Sequence, residues 1–396
     1  MTRSGTFEVR VLVLSPDPKS IGGIQRVSRT LMRALVERFG ADRVGSVALF
    51  DAGDIDSLPC RELWAGSHAD GVAHVRFVEQ MRFLLKAVSA AWRWRRRLVI
   101  ICCYPQLAPV AWACGIVARA PFAVWGHGIE VWGPVDPWTR FGLGRANLLF
   151  APIFFTAGRM AELAGVAQGA VRVIPHCVSP EILLSLPRAV DRPSGMAVLT
   201  VSRLSPLEDY KGVDVLLKAW PDVLLSVRLA KLLVVGDGPD RLRLEELARE
   251  LGVQESVQFL GRVSDRELGR LYEDVDLFAL PARFNLAPKP EGEGFGLVYV
   301  EAGAHGLPVV AGFGGGAAEV VVDGETGALV DPMDPTDVAR AVVTLLTDPS
   351  LARSMGEAGR VRASTMYSYS TFSAATVDLV LELGETRRRR TTSGYC

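Results

Sequence analysis

Two carboxylates, Glu293 and Glu301, stand eight residues apart in the stretch EGEGFGLVYVE (291–301), around a Gly-Phe-Gly hinge that opens into an apolar run. A carboxylate is a strong paired acceptor for the hydroxyls of a polyol. Gly294 and Gly296 permit backbone torsions that other residues resist, and they let bare peptide N–H groups approach a ligand. A helix beginning near Leu297 would present free N–H groups and a positive dipole end, a seat for phosphate. Glu293 would then lie on the loop and Glu301 one turn inside the helix. An exposed acidic loop before an ordinary core helix would use the same letters, so other loops must be weighed with it.

Arg203 and Lys211 are also eight apart, in SRL followed by YKG at the end of a strand-like run. A planar guanidinium fork and a mobile ammonium there can converge on one diphosphate. Val235-Gly236-Asp237-Gly238-Pro239 is a tight turn into a helix, with Pro239 suited to the first helical position. Near the start, SIGGIQR (20–26) follows the first strand, and paired glycines let amides approach a diphosphate. The GxGxxG of a dinucleotide enzyme is missing at that place, which counts against NAD. His127, in WGHGIE (125–130), is flanked by glycines and read as exposed to a ligand by its loop rather than buried. No GxxxxGK[ST] loop, HxxxH pair or Cys/His cluster is present, so neither P-loop hydrolysis nor a metal site is expected.

These loops need a scaffold, and the order of apolar runs supplies one. Strand-like runs at Phe7–Leu14, Val44–Leu49, Leu98–Ile101, Ala123–Trp125, Leu148–Ala151 and Val171–Ile174 alternate with amphipathic stretches such as Ile24–Arg38 and Arg76–Arg96. A second series follows at Ala197–Val201, Lys231–Val235, Val257–Leu260, Leu277–Leu280, Pro308–Val310 and Ala328–Val330. Its helices are expected over Val213–Val227, Arg241–Leu251, Asp265–Tyr272 and Leu297–His305. Continuous Val/Ile/Leu strands separated by helices mean parallel sheets covered on both faces. Two in series make a pair of Rossmann-like domains joined near Ser179–Gly195, with ligands at the carboxyl ends of the strands and a substrate cleft between the domains.

A chain of 396 residues, 49% hydrophobic and 22% charged, has core enough for two domains. Its zero net charge hides a split: residues 1–180 carry 21 basic against 13 acidic side chains (+8), and the rest carry 23 against 31 (−8). The six cysteines include no CxxC pair and read as reduced, buried thiols of a cytoplasmic protein without a signal peptide. Leu98–Ala118 is uncharged and long enough to span a bilayer, but Pro105 and Pro109 make it a buried strand, loop and helix.

GGIQR, GHGIE, VSRL with YKG, VVGDGP, FLGRV, EGEGFGLVYVEA and EVVVDGETGALVDP together resemble the retaining glycosyltransferases of family 4, which have the GT-B fold. The resemblance runs from about Val9 to Ser373 and is strongest over Ala197–Pro332. It implies an α/β, GT-B architecture with an acceptor-side domain over 1–185 and a nucleotide-sugar donor domain over 186–368. Residues 369–396 would form a helix crossing back to the first domain and a basic tail. Arg203 and Lys211 would bind the donor diphosphate, and Gly23 would close over the same phosphates. Glu301 would hold the ribose, and Glu293 with the backbone at Phe295, Gly296 and Leu297 the transferred sugar. Gly236, Val263 and Val298 would complete the nucleotide pocket, with Val263 at the base, and His127 would lie beside the anomeric carbon. His176-Cys177 stand where the family commonly has Asn-Gly.

The implied activity moves a sugar from a nucleoside-diphosphate sugar to a glycan or lipid-linked glycan, with retention and without a metal or other cofactor. Rival readings are a GT-B sugar-nucleotide epimerase and a non-catalytic sugar-nucleotide-binding protein. No nucleic-acid partner is expected. In Arg76–Arg97, apolar Phe77, Met81, Leu84, Leu85, Val88 and Trp92 read as a core-packed stripe, with a cluster of Arg and Trp at 92–97. That cluster, in the basic half, gives the expectation of peripheral attachment to an anionic membrane.

Overall fold

The computed structural model describes residues 9–51, 57–66, 77–183 and 196–392. The chain folds as two compact units, one running to Pro175 and resuming at Ser370, the other spanning His176–Tyr369.

The first unit is built on seven strands: β1 (Arg10–Ser15), β2 (Val44–Ala48), β3 (Arg61–Ala65), β4 (Leu98–Cys102), β5 (Phe122–Trp125), β6 (Leu148–Ala151) and β7 (Val171–Val173). They pair in parallel in the order β3-β2-β1-β4-β5-β6-β7. Val11–Leu14 and Leu98–Cys102 are buried throughout, as strands covered by helices on both faces must be. The short strand Arg61–Ala65 was missing from the expected set. It lies at the sheet edge with Arg61 and Glu62 exposed, so it lacks the apolar run that marks an inner strand. The uncharged stretch is resolved as β4, a 3-10 turn over Pro105–Leu107 and the helix Ala108–Ala118, and among the described residues no helix is long and apolar enough to cross a membrane.

The second unit repeats the plan with β8 (Ala197–Val201), β9 (Lys231–Val235), β10 (Val257–Gly261), β11 (Leu277–Leu280), β12 (Val309–Gly312) and β13 (Gly327–Val330). All are parallel, in the order β10-β9-β8-β11-β12-β13. Both sheets therefore reverse direction of addition beside their first strand, the doubly wound order whose ligands sit outside the carboxyl ends at the reversal. Local chemistry fits the plan: Ser264 and Glu267 form a reciprocal capping box that starts the helix Asp265–Asp274.

The passage into the second unit falls at Pro175–His176, before the expected 185, because His176–Val178 already pack with that unit. The Val178 N–H donates to the Tyr367 carbonyl at 3.0 Å, and the His176 ring meets the Phe295 edge at 4.9 Å. The last helix, Tyr369–Thr392, returns to the first unit, where Phe372 stacks on Trp125 at 5.9 Å and Glu382 pairs with Arg172 at 2.5 Å.

The helix Phe77–Trp94 corrects one expectation. Its core face is Phe83, Ala87, Ala90 and Ala91, whereas Met81, Leu85 and Trp92 are exposed and Leu84 and Val88 are half-buried. Small alanines let the helix lie close to the sheet and turn the larger apolar side chains outward. Leu85 is 63% exposed and Trp92 52%, with Arg95 over the Trp92 ring at 4.1 Å. Arg76 and the Phe77 side chain lie outside the described residues.

Candidate functional site

In the second unit, the loops after β8 and β11 flank the point where strand order reverses, and both carry charge to the carboxyl edge. The β8 loop runs through Ser202, Arg203 and Leu204 into a 3-10 turn, Pro206–Lys211, with Ser205 capping its start. Backbone bonds lace it to the loop after β9: Ser202 N–H donates to Val235 O at 3.0 Å, Leu204 N–H to Asp237 O at 3.1 Å and Asp240 N–H to Leu204 O at 3.1 Å. Gly236 is needed for that approach. Its φ is +128°, and a Cβ there would lie 1.7 Å from the Ser202 carbonyl. The structure thus gives Gly236 a definite job in holding the arginine loop, beside the nucleotide contact expected of it.

Arg203 reaches outward, 66% exposed, and meets Glu208 at 3.0 Å. A pair whose arginine stands in solvent is worth about 1 kcal/mol, so the guanidinium can leave it for a ligand. Lys211 is more enclosed, and its Nζ donates to Glu293 Oε2 at 2.5 Å. Burial works to lower the Lys211 pKa, but the charge of Glu293, with Tyr210 and Glu208, more than offsets it and holds the ammonium above its ordinary value. Ser202, Arg203, Glu208, Asp209, Lys211 and Arg243 are among the residues lining a depression over this loop.

The helix Leu297–Ala304 begins directly after the Gly-Phe-Gly hinge, as its sequence required. Phe295 is buried, clamped by His176 at 4.9 Å and Tyr367 at 5.6 Å. Among the described residues, nothing accepts from the N–H groups of Leu297 and Val298, so this helix start is open to an anion. Glu301 is buried (1% exposed) and takes a hydrogen bond from the Tyr272 hydroxyl at 3.1 Å. Val263 is half-buried in the loop after β10. Arg203, Lys211, Gly236, Val263, Glu293, Phe295, Gly296, Leu297, Val298 and Glu301 therefore belong to one carboxyl-edge neighbourhood of the second sheet.

Two expected residues belong to the first unit. Gly23 is the exposed first residue of the helix Gly23–Phe39, whose approach loop is braced by Arg29, donating to Pro18 O at 2.7 Å and Ser20 O at 3.0 Å. His127 differs from its reading as a loop-exposed ligand group: it is 4% exposed. Its Nε2 lies 2.9 Å from the Cys103 carbonyl and its ring packs on Trp125 at 4.7 Å. The neighbouring glycine explains the error. A Cβ at Gly126 would meet the Met160 sulfur at 2.3 Å, so that glycine admits a packed methionine rather than a ligand. Burial pulls the His127 pKa down against the opposing pull of Glu130, whose carboxylate also accepts from the His127 and Gly128 N–H groups.

The sequence reading missed Arg283 and Tyr272. Neither sits in a motif, and their roles show only when β11 and the helix Asp265–Asp274 are placed beside the site.

Residues 195–362 match the sequence profile of glycosyl transferases group 1. The chain is 40% identical over 276 residues to a GDP-mannose-dependent alpha-(1-6)-phosphatidylinositol monomannoside mannosyltransferase of Mycolicibacterium smegmatis, a match covering 66% of this chain and 70% of that one. The chain belongs to the glycosyl transferases group 1. A protein of the same name from Mycobacterium tuberculosis is 35% identical over 272 residues, covering 68% of this chain and 66% of its own. Among solved structures, Anabaena HepE in complex with UDP and glucose superposes with a TM-score of 0.71 at 20% identity, over 94% of this chain and 100% of its own. Sucrose-phosphate synthase from Thermosynechococcus elongatus gives 0.73 at 23% identity, over 95% and 100%. At those identities the structures speak for the fold, the GT-B pairing of two Rossmann-like domains. This group 1 glycosyltransferase is accordingly a sugar-nucleotide transferase, and the epimerase reading lapses.

Proposed function

We propose that the protein is a retaining mannosyltransferase that moves mannose from GDP-mannose to a phosphatidylinositol-linked glycan. The observation that carries the chemistry is the Lys211–Glu293 pair across the strand-order reversal, beside Arg203 and the open N–H groups of Leu297 and Val298. The mannosyltransferase names of its relatives support the donor and acceptor classes.

Cleaving a sugar–phosphate bond builds positive charge at the anomeric carbon and negative charge on the departing diphosphate. Arg203, Lys211 and the start of the helix Leu297–Ala304 stabilise the diphosphate with groups already in place. Donor binding hands Lys211 from Glu293 to a phosphate oxygen and frees the Glu293 carboxylate for the sugar hydroxyls. The acceptor hydroxyl attacks on the face the diphosphate leaves, and its proton passes to the leaving phosphate oxygen. No metal or other cofactor takes part.

A phosphatidylinositol-linked acceptor supports peripheral attachment to a membrane, and buried thiols fit its cytoplasmic side, where they stay reduced. Val78, Met81, Leu85 and Trp92 are exposed on the helix Phe77–Trp94 alongside Arg82, Lys86 and Arg93, and Arg95, Arg96 and Arg97 follow. Outward apolar side chains ringed by cations suit the interface of an anionic bilayer.

A panel of nucleotides and nucleotide sugars tested for protection against thermal unfolding checks the donor. Bound ligand raises the melting temperature by mass action, so GDP and GDP-mannose should shift it more than UDP and UDP-glucose. Preference for the uridine compounds would replace the donor assignment.

A further inference from the structure

Arg283 follows β11 and ties the β8 loop to the helix that continues it. Its backbone N–H donates to the Tyr210 carbonyl at 2.6 Å, and its Nη1 to the Asp209 carbonyl at 2.7 Å. Its Nη2 donates to both carboxylate oxygens of Asp214, at 2.9 and 2.7 Å. These acceptors bracket Lys211 from both sides in sequence. Both charged side chains are largely enclosed, 16% exposed for Arg283 and 12% for Asp214. Burial works to raise the Asp214 pKa, but hydrogen bonds from Arg283 and Lys218 prevail and keep it below the ordinary carboxylate range. Asp214 is thus held as a carboxylate at neutral pH.

We propose that Arg283, held by Asp214, is the positioning residue for Lys211, fixing the turn that aims the Lys211 ammonium at the donor diphosphate. This rests on the reading of Lys211 as a diphosphate-binding group. A guanidinium suits the task because its fork bonds in two directions at once, toward the Asp209 carbonyl and toward Asp214; an ammonium on a flexible stem holds no such angle. Misplacing a charge-stabilising group by about an ångström costs on the order of 100-fold in rate.

The test is a double-mutant cycle in the full chain, with GDP-mannose turnover as the readout and GDP affinity measured alongside. Arg283→Gln should lower kcat roughly 10- to 100-fold while KM for GDP-mannose moves far less, and Arg283→Lys should recover only part of the loss. In a Lys211→Ala background, Arg283→Gln should cost nothing further, since the group it positions is gone. A merely structural arginine would lower the melting temperature equally in both backgrounds and multiply the kinetic losses. Should Arg283→Gln not fold, Asp214→Asn loosens the same fork from its other end and takes its place in the cycle. Independent, multiplying losses would overturn the proposal, as would normal turnover by Arg283→Gln beside an impaired Lys211→Ala. Normal turnover by Lys211→Ala itself would instead remove the donor assignment on which both stand.

Discussion

The Lys211 ammonium lies 2.5 Å from the Glu293 carboxylate, although 82 residues separate them in the chain. In the mechanism proposed above each is the other's placeholder: the lysine rests on a carboxylate where a phosphate would sit, and the carboxylate on an ammonium where sugar hydroxyls would sit. Glu293→Gln removes the competing anion. GDP should then bind more tightly, by up to about tenfold, the equivalent of 1.4 kcal/mol. Transfer from GDP-mannose should fall. Calorimetry with GDP and a steady-state assay read the two effects, and weaker GDP binding would show that the pair does not compete with the donor.

Glu301 and Tyr272 form the second linked pair. Glu301→Ala should weaken GDP binding more than it slows the bound complex. Tyr272→Phe leaves the carboxylate in place but removes one buried donor to it, at a cost of about 1 kcal/mol in stability. Chemical denaturation and GDP titration of both variants separate the roles. Unchanged GDP affinity in Glu301→Ala would exclude a ribose contact.

His127 is expected to support its loop as a neutral imidazole. Because burial lowers its pKa in the folded state, its contribution to stability is full above the ordinary value of 6.5 and is lost as pH falls below it. His127→Gln should flatten the acid side of the stability profile below the ordinary imidazole value of about 6.5. Melting curves across that range check it. A steep loss of turnover at unchanged melting temperature would return the residue to the reaction itself.

Membrane attachment should depend on charge. Neutralising Arg93, Arg95, Arg96 and Arg97 should remove about 1 kcal/mol per residue near an anionic surface. Co-sedimentation with phosphatidylinositol-containing vesicles should fall in that variant and in high salt. Trp92→Ser should weaken it further without destabilising the fold, since Trp92 is exposed. Binding indifferent to both salt and charge would contradict the assignment.

Much of this molecule was legible because parallel strands buried on both faces must be continuously apolar; β6, β8, β9 and β11 have the very bounds read from the sequence. The donor loops followed, since Gly-rich segments and charges just past such strands have nowhere to lie but the carboxyl edge. What escaped was tertiary. An edge strand bearing Arg61 and Glu62 does not look apolar. Gly126 was taken as a sign of ligand access when it is a sign of Met160 packing. Arg283 carries no local signal at all, because its partners Asp209, Tyr210 and Asp214 lie about 70 residues away.

The most direct measurement is the transfer of radiolabelled mannose from GDP-mannose into phosphatidylinositol-linked glycan in vesicles, by the wild-type chain and by Lys211→Ala and Arg203→Ala. The wild type should label the lipid. Each variant should lose about 2–4 kcal/mol of barrier stabilisation, or roughly 30- to 1,000-fold in rate, with its melting temperature little changed. Labelling by Lys211→Ala at the wild-type rate would contradict the site, and a folded wild type that turned over no nucleoside-diphosphate sugar would contradict the function.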